Sequence, residues 1–411
     1  VTIYSNVFPT HDQPYRLFPL RHNWNTPFRT NYEFKTDIIV SGNGKEQRRA
    51  VRYEPRASFE FTCNYKDNEK YLFDRFMDQD PKKLCWVAEE CKTAFTSIAM
   101  DEDETSVKFR GGRPEWMPVN PAGLNVILQY EGQTETRVVQ ACSDNVMTFT
   151  EHNKSVWPAG TRIMAGALAR VRPDPTSGRL TNRAGTVNVA FDMNPSFATF
   201  TPGVGDQTFL GFREIIPWEI NWGANPEVTH AWPRDDVDYG YGMIQTFTPI
   251  NFPGRINKFS YWRKGWQNSY NMIDFFFRMK GRNREFFAPG YERAIPYYAA
   301  AQGNKSILIK GLDFAYTYMG STVYRRVAIR LKDGSLIHRQ VDFIEALPDT
   351  NTSVIWLTED LPEVPVAPAE TNGIWWVTVS RFASDILTVD WLTDDIAQIT
   401  FNLQNLENYD V

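Results

Sequence analysis

Apolar and polar positions alternate along much of this chain. In 396–403, the order Ile396, Ala397, Gln398, Ile399, Thr400, Phe401, Asn402, Leu403 largely takes turns between the two classes. That period of two is what a half-buried strand requires. Further strands are predicted at 37–40, 58–62, 125–130, 306–310, 323–331, 352–357 and 374–379, each rich in β-branched and aromatic residues. Gly, Pro, Asn and Asp bound most of these runs. Only two segments switch to a helical period. The first has Asp67 as its cap and Tyr71, Leu72, Phe73 and Phe76 as its apolar stripe. The second has Asn268 or Ser269 as its cap, Met272, Ile273, Phe276 and Phe277 as its stripe, and Gly281 just past the end, where a left-handed residue is needed.

The landmarks occur twice in one order. Asn23 and Trp24 match Asn221 and Trp222, and Phe61 matches Tyr261. Leu72, Phe76 and Trp86 match Ile273, Phe277 and Phe287; Arg170 matches Arg381; Val189 and Phe191 match Ile399 and Phe401. The spacing drifts from 198 to 211 residues along the chain, as loop insertions between two copies of one fold would make it do. The expectation is a mainly β protein, a β-sandwich or barrel with a flanking helix. It has two tandem homologous halves, 1–205 and 206–411, each with a small extra β subdomain. A chain of 411 residues exceeds one ordinary core, and halves of this size can each hold their own. The seam falls in the Gly-, Pro- and Thr-rich stretch 192–214.

Composition narrows the function. A net charge of −5 argues against a dedicated nucleic-acid binder, which needs a basic surface to displace counterions. No window approaches 18 consecutive apolar residues, so no membrane-spanning helix is expected. Residues 1–20 lack the basic stretch and apolar run of a secretory leader, and a cytoplasmically made protein is expected. Cys63, Cys85, Cys91 and Cys142 all lie in the first half. A disulfide framework or structural zinc required by the fold would recur in the second, so reduced thiols are expected.

One motif suggests a family. Phe34-Lys35-Thr36-Asp37-Ile38 leads into a Gly-containing turn at 41–44, then Glu46-Gln47-Arg48-Arg49, then Pro55-Arg56 before a strand. This pattern, together with the opening His22-Asn23-Trp24-Asn25-Thr26-Pro27, resembles the distal tail proteins of long-tailed bacteriophages and related gene-transfer particles. The resemblance covers about forty residues, and the second half keeps little of it, with Asp235, Asp236 and Asp238 standing in place of the T-D-I and E-Q-R segments. The residues themselves read as a hairpin with opposite charges along one ribbon, either solvated or at a contact. The resemblance favours contact: it implies that Thr36, Asp37, Glu46, Gln47, Arg48, Arg49, Pro55 and Arg56 lie where ring subunits meet. It further implies a structural virion protein of the tail tip or baseplate, assembled in the host cytoplasm. Its rings would join the tail tube to the host-recognition hub and fibres or receptor-binding proteins and enclose the DNA channel. Relatives have one half per chain and form six-fold rings, so a two-half chain is expected to build a pseudo-six-fold ring from three copies, with a hexamer as the alternative.

Catalytic signatures are weak. His11, His22, His152, His230 and His338 show no HxxxH or HExxH spacing, and hydrolase-elbow, phosphate-loop and dinucleotide fingerprints are missing. Asp101-Glu102-Asp103-Glu104 lacks the glycine turn of a calcium loop. No catalytic, cofactor or metal residue is expected. The alternatives are a trimeric baseplate hub component and a tail-associated carbohydrate-binding or glycan-degrading protein. The second would use some of the thirteen tryptophans to stack on sugars beside a carboxylate pair. Trp24, Trp86 and Trp222, matched by aromatics in both halves, are assigned to the scaffold; Trp266, Trp375 and Trp376, unmatched, are candidates for contacts.

Overall fold

The computed structural model describes residues 15–41, 45–78, 84–194, 208–209, 213–231, 235–247, 254–300, 304–321, 324–361 and 371–406. Among these the protein is mainly β, with most strands joined in one large, largely antiparallel sheet. The frame strands of the first half are β1 (Phe28–Val40), β2 (Glu46–Lys66), β3 (Cys85–Phe95), β4 (Arg162–Val171), β5 (Thr176–Arg179) and β6 (Ala184–Met193). Helix α1 (Asn68–Asp78) joins β2 to β3. The second half has β7 (Glu227–Ala231), β8 (Asp235–Val237), β9 (Gln245–Phe247) and β10 (Gly254–Lys264). Then come helix α2 (Trp266–Met279), β11 (Phe286–Ala294), β12 (Thr371–Phe382), β13 (Ile386–Trp391) and β14 (Ile396–Asn405).

The two halves use the same order of pairings. β2 lies against β6 with Phe61 opposite Val189, and β10 lies against β14 with Tyr261 opposite Ile399. β3 pairs with β4, Trp86 opposite Leu168, and β11 with β12, Phe287 opposite Val379. β4 then meets β6, Arg170 opposite Asp192, and β12 meets β14, Arg381 opposite Gln404. β5 and β13 extend the frames on β6 and β14. The chain enters each frame in the same way. Phe18 N–H donates to Trp86 O at 2.8 Å, and Ile216 N–H to Phe287 O at 3.0 Å. Asn23 N–H donates to Thr62 O and Asn221 N–H to Ser260 O, while each asparagine Oδ1 accepts from the backbone two residues on.

Several elements coincide with expectation. The strands Asn125–Tyr130, Ser306–Lys310 and Thr352–Leu357 have the predicted bounds. The predicted strand at 323–331 begins at Arg326, and Val323 lies outside the described residues. The seam boundary at 205/206 and the turn residues 42–44 also lie outside them. Two helix readings need correction. Helix α2 starts at Trp266 with Gly265 as its N-cap, because Asn268 and Ser269 sit within the first turn and donate backwards, to Lys264 O and Gly265 O. In α1, Tyr71 is exposed and the buried stripe is Phe73 and Phe76.

One core runs through both frames, from Phe18, Phe59, Phe61 and Phe191 to Phe276, Phe286, Phe401 and Leu403. Separate apolar clusters fill the segments inserted between β3 and β4, around Phe109, Leu128 and Trp157, and between β11 and β12, around Ile307, Ile329 and Ile355. The tryptophans do not sort as expected. Trp86 is buried, but Trp222 is 50% exposed on a 3-10 turn. Trp375 and Trp376 are core residues: neighbouring positions on β12 point to opposite faces, so Trp375 enters the common core and Trp376 the inserted one. Trp266 is partly buried and stacks on Tyr270. All four cysteines are free thiols, and burial pushes Cys85 up to about 12 and Cys63 and Cys91 well above their ordinary value. No helix among the described residues is long and apolar enough to cross a membrane.

Candidate functional site

The β1–β2 ribbon carries the motif, and it reaches across to the other half. Thirteen residues of β1 are long enough to pair twice. On one edge β1 pairs with β2, from Arg29 opposite Glu60 to Val40 opposite Glu46. On its other edge Phe28–Glu33 pairs with Trp391–Ile386 of β13. This ladder joins the halves, and Arg29 Nε donates to Asp390 Oδ1 at 2.7 Å beside it.

Beyond the ladder, the period of two along the ribbon divides its side chains. Phe34 and Thr36 face inward, and Phe34 is buried against the edges of Phe276 and Phe277 on α2. Phe34 N–H donates to Asp385 O at 2.9 Å. The Asp385 carboxylate then accepts from Thr36 N at 2.8 Å, Thr36 Oγ1 at 2.9 Å and Arg282 N at 2.9 Å. Arg282 closes the group by donating from Nη2 to Thr36 O at 3.1 Å. Gly281 has φ +61°, and a Cβ there would lie 2.5 Å from Asp385 Oδ1 and 3.1 Å from Phe34 Cβ. Only glycine lets α2 end this close to the ribbon.

On β2, Glu46 and Arg48 also face inward. Arg381 forks onto Glu46, with Nε to Oε2 and Nη2 to Oε1 both at 2.8 Å. Arg48 Nη2 donates to Glu285 Oε2 at 2.9 Å. The Arg381 and Glu46 side chains are 5% and 10% exposed, so this pair stands in low dielectric, where charge-assisted bidentate bonds are strong and specific.

Of the eight motif residues, Thr36, Glu46 and Arg48 therefore meet the second half of the same chain. Asp37, Gln47, Arg49 and Arg56 lie on the exposed outer face, and Pro55 is half-buried. Ile39, Val40, Val51 and Tyr53 are exposed on the ribbon as well. The receiving residues Asp385, Arg282 and Glu285 carry no sequence signal, and Arg381 reads only as a repeat landmark. A ribbon seated this way can hold the two halves in a fixed orientation, with Glu46 and Arg48 paired to Arg381 and Glu285.

The acidic segments bond locally, and Asp235 and Asp236 lie on strand β8. Glu104 N–H donates to Asp101 O, Asp236 Oδ1 accepts from Thr246 Oγ1, and Asp238 Oδ1 accepts from Gly240 N. Among the described residues no group of three or more His, Cys, Asp or Glu is placed to hold a metal ion. No protein-family model matches this chain, and no curated protein is similar to it.

Proposed function

We propose that the chain is a structural protein of a phage or phage-like tail tip, built from two copies of one domain, and that it forms a ring joining the tail tube to the host-recognition hub. The observation that carries this reading is the motif ribbon: it lies where one domain meets the next. Two frames with the same pairing order, linked by an arm from the first seated on the second, are two consecutive positions of a ring contained in one chain. Three chains then complete six domain places, a geometry that matches a six-fold tube to three-fold tip components. The partners are further copies of the chain, the tube, the hub, and fibres or receptor-binding proteins; DNA only passes through the channel. A net charge of −5 suits a wall along which DNA must slide without sticking.

The experiment is native mass spectrometry of the purified assembly with electron microscopy of its end-on views. Three chains arranged with pseudo-six-fold symmetry are expected. Six chains with one half of each lining the channel would overturn the pseudo-six-fold arrangement, and a protein monomeric at all concentrations would overturn the ring.

A further inference from the structure

A cavity of about 270 Å³ opens in the first half, where the frame meets its inserted segment. Its wall is made largely by the entering chain at 17–22, helix α1, strand β3 and the hairpin of Asn125–Tyr130 with Gln133–Cys142. Ligand sites favour such joints between packed units, and this volume lies just below that of a drug-sized pocket. The space suits a small molecule.

The hairpin brings polar groups to this wall. Alternate residues of a strand take opposite faces, so Val126 and Leu128 enter the inserted core while Gln129 faces the cavity. Gln129 sits between Thr134 and Arg162 in one row across three strands. It is 8% exposed, yet its side-chain Oε1 has no hydrogen-bond partner among the described residues, and neither has the buried Thr134 Oγ1 on the same wall. Cross-strand neighbours lie about 5 Å apart, within reach of one ligand group. A buried acceptor left unpaired costs its full desolvation, so these two oxygens are open to donors from outside the chain.

Charge narrows the donor to a cation. Glu69, Glu90 and Glu131 are on the wall, and Glu90 is 3% exposed. Two guanidiniums answer these three carboxylates: Arg162 Nη2 donates to Glu90 Oε2 at 2.7 Å, and Arg21 stands on the wall with a partner of its own. His22 adds no charge at pH 7, because burial lowers its pKa. One negative charge is left, beside two unpartnered oxygens and an apolar lining that includes Phe18, Leu20 and Val87.

We propose that this cavity binds a small organic monocation, a primary ammonium on a short aliphatic stem. An ammonium has three N–H groups to give. They go to Gln129 Oε1, Thr134 Oγ1 and a wall carboxylate, and the stem lies on the apolar lining. Pairing and hydrogen bonding together offset the desolvation of the buried cation. The site lies within one half of one chain and does not rest on the ring reading.

The test titrates the full-length protein with n-butylammonium chloride by calorimetry, with n-butanol as the uncharged control. The ammonium is expected to saturate one site per chain and to bind about tenfold or more tighter than the alcohol. Gln129→Leu keeps the size of the side chain and removes the acceptor. It should weaken n-butylammonium roughly tenfold, leave n-butanol unchanged, and keep or raise the thermal midpoint without ligand, since it removes an unpaired buried oxygen. Thr134→Val should weaken the ammonium too, and serves where Gln129→Leu fails to fold. Equal binding of alcohol and ammonium would overturn the cation assignment. Binding of neither would overturn the site and leave a water-filled cavity. Wild-type affinity for the ammonium in the folded variants would overturn the placing of its N–H groups.

Discussion

Glu46→Ala tests whether the arm holds the two halves together. In the wild type Arg381 gives two bonds of 2.8 Å to Glu46 and one of 2.9 Å from Nη1 to Phe382 O. The variant deletes both carboxylate acceptors and leaves the guanidinium beneath the ribbon with the Phe382 carbonyl. Removing one partner of a buried pair costs about 3–5 kcal/mol. Here the ribbon can lift and admit water, which caps the loss at the free energy with which the arm is docked, so about 3 kcal/mol is expected. Replacing both residues, Glu46→Met with Arg381→Met, removes the stranded charge and keeps the stem packing, and should cost no more than about 1 kcal/mol.

The assay is a double-mutant cycle of Glu46→Met, Arg381→Met and the two together by urea denaturation, with amide exchange along β1 and β2 to separate arm release from global unfolding. A coupling energy of about 2 kcal/mol or more is expected, together with faster exchange in 34–40 and 46–52 in the single variants. Single-variant losses that add to the double-variant loss within about 0.5 kcal/mol would refute the argument, because the pair would then not be joining arm to seat.

Three other predictions follow from the same geometry. Gly281→Ala should destabilise by about 1–3 kcal/mol, from its left-handed backbone and the displaced Asp385 carboxylate, and a midpoint equal to wild type in urea would refute the close approach of α2 to the ribbon. His22 is buried among Trp24, Phe28 and Phe61, and burial lowers its pKa; burial lowers that of His338 as well. The folded protein then binds fewer protons than the unfolded chain, so stability should be full above the ordinary histidine value and fall as pH drops through it. His22→Phe should flatten that fall between pH 7.5 and 5.5, and an identical pH profile would exclude His22 as its source. Cys142, the one half-buried thiol, should react with an alkylating reagent in the native protein well before Cys63, Cys85 and Cys91, as peptide mass mapping will show.

The strands were legible in the sequence because local periodicity specifies them. Asn125–Tyr130 and Thr352–Leu357 are bounded by turn residues and carry their own burial pattern. Helix α2 was legible in its stripe but not in its start, since Asn268 and Ser269 are good caps by type and are used to bond backwards instead. The seat was not legible at all. Asp385 meets Thr36 across 349 residues of chain, and nothing local at Ser384-Asp385 distinguishes it from any polar turn. Trp375 and Trp376 failed for another reason: both are buried without a matched aromatic in the first half, Trp376 in a core particular to the second half's inserted segment and Trp375 in the core common to both halves.

The seating of the first arm bears on assembly. A strand edge left open is a template for uncontrolled pairing. The first arm removes that hazard within the chain, where the β1–β13 ladder forms without meeting another molecule. In the first half β5 has β6 on one edge and, among the described residues, no strand on the other, and Arg172 just before it is held by Asp192 at 2.8 Å. In the proposed ring the β1–β13 ladder is thus complete inside each chain before chains meet, so assembly starts from a subunit whose two halves are already joined.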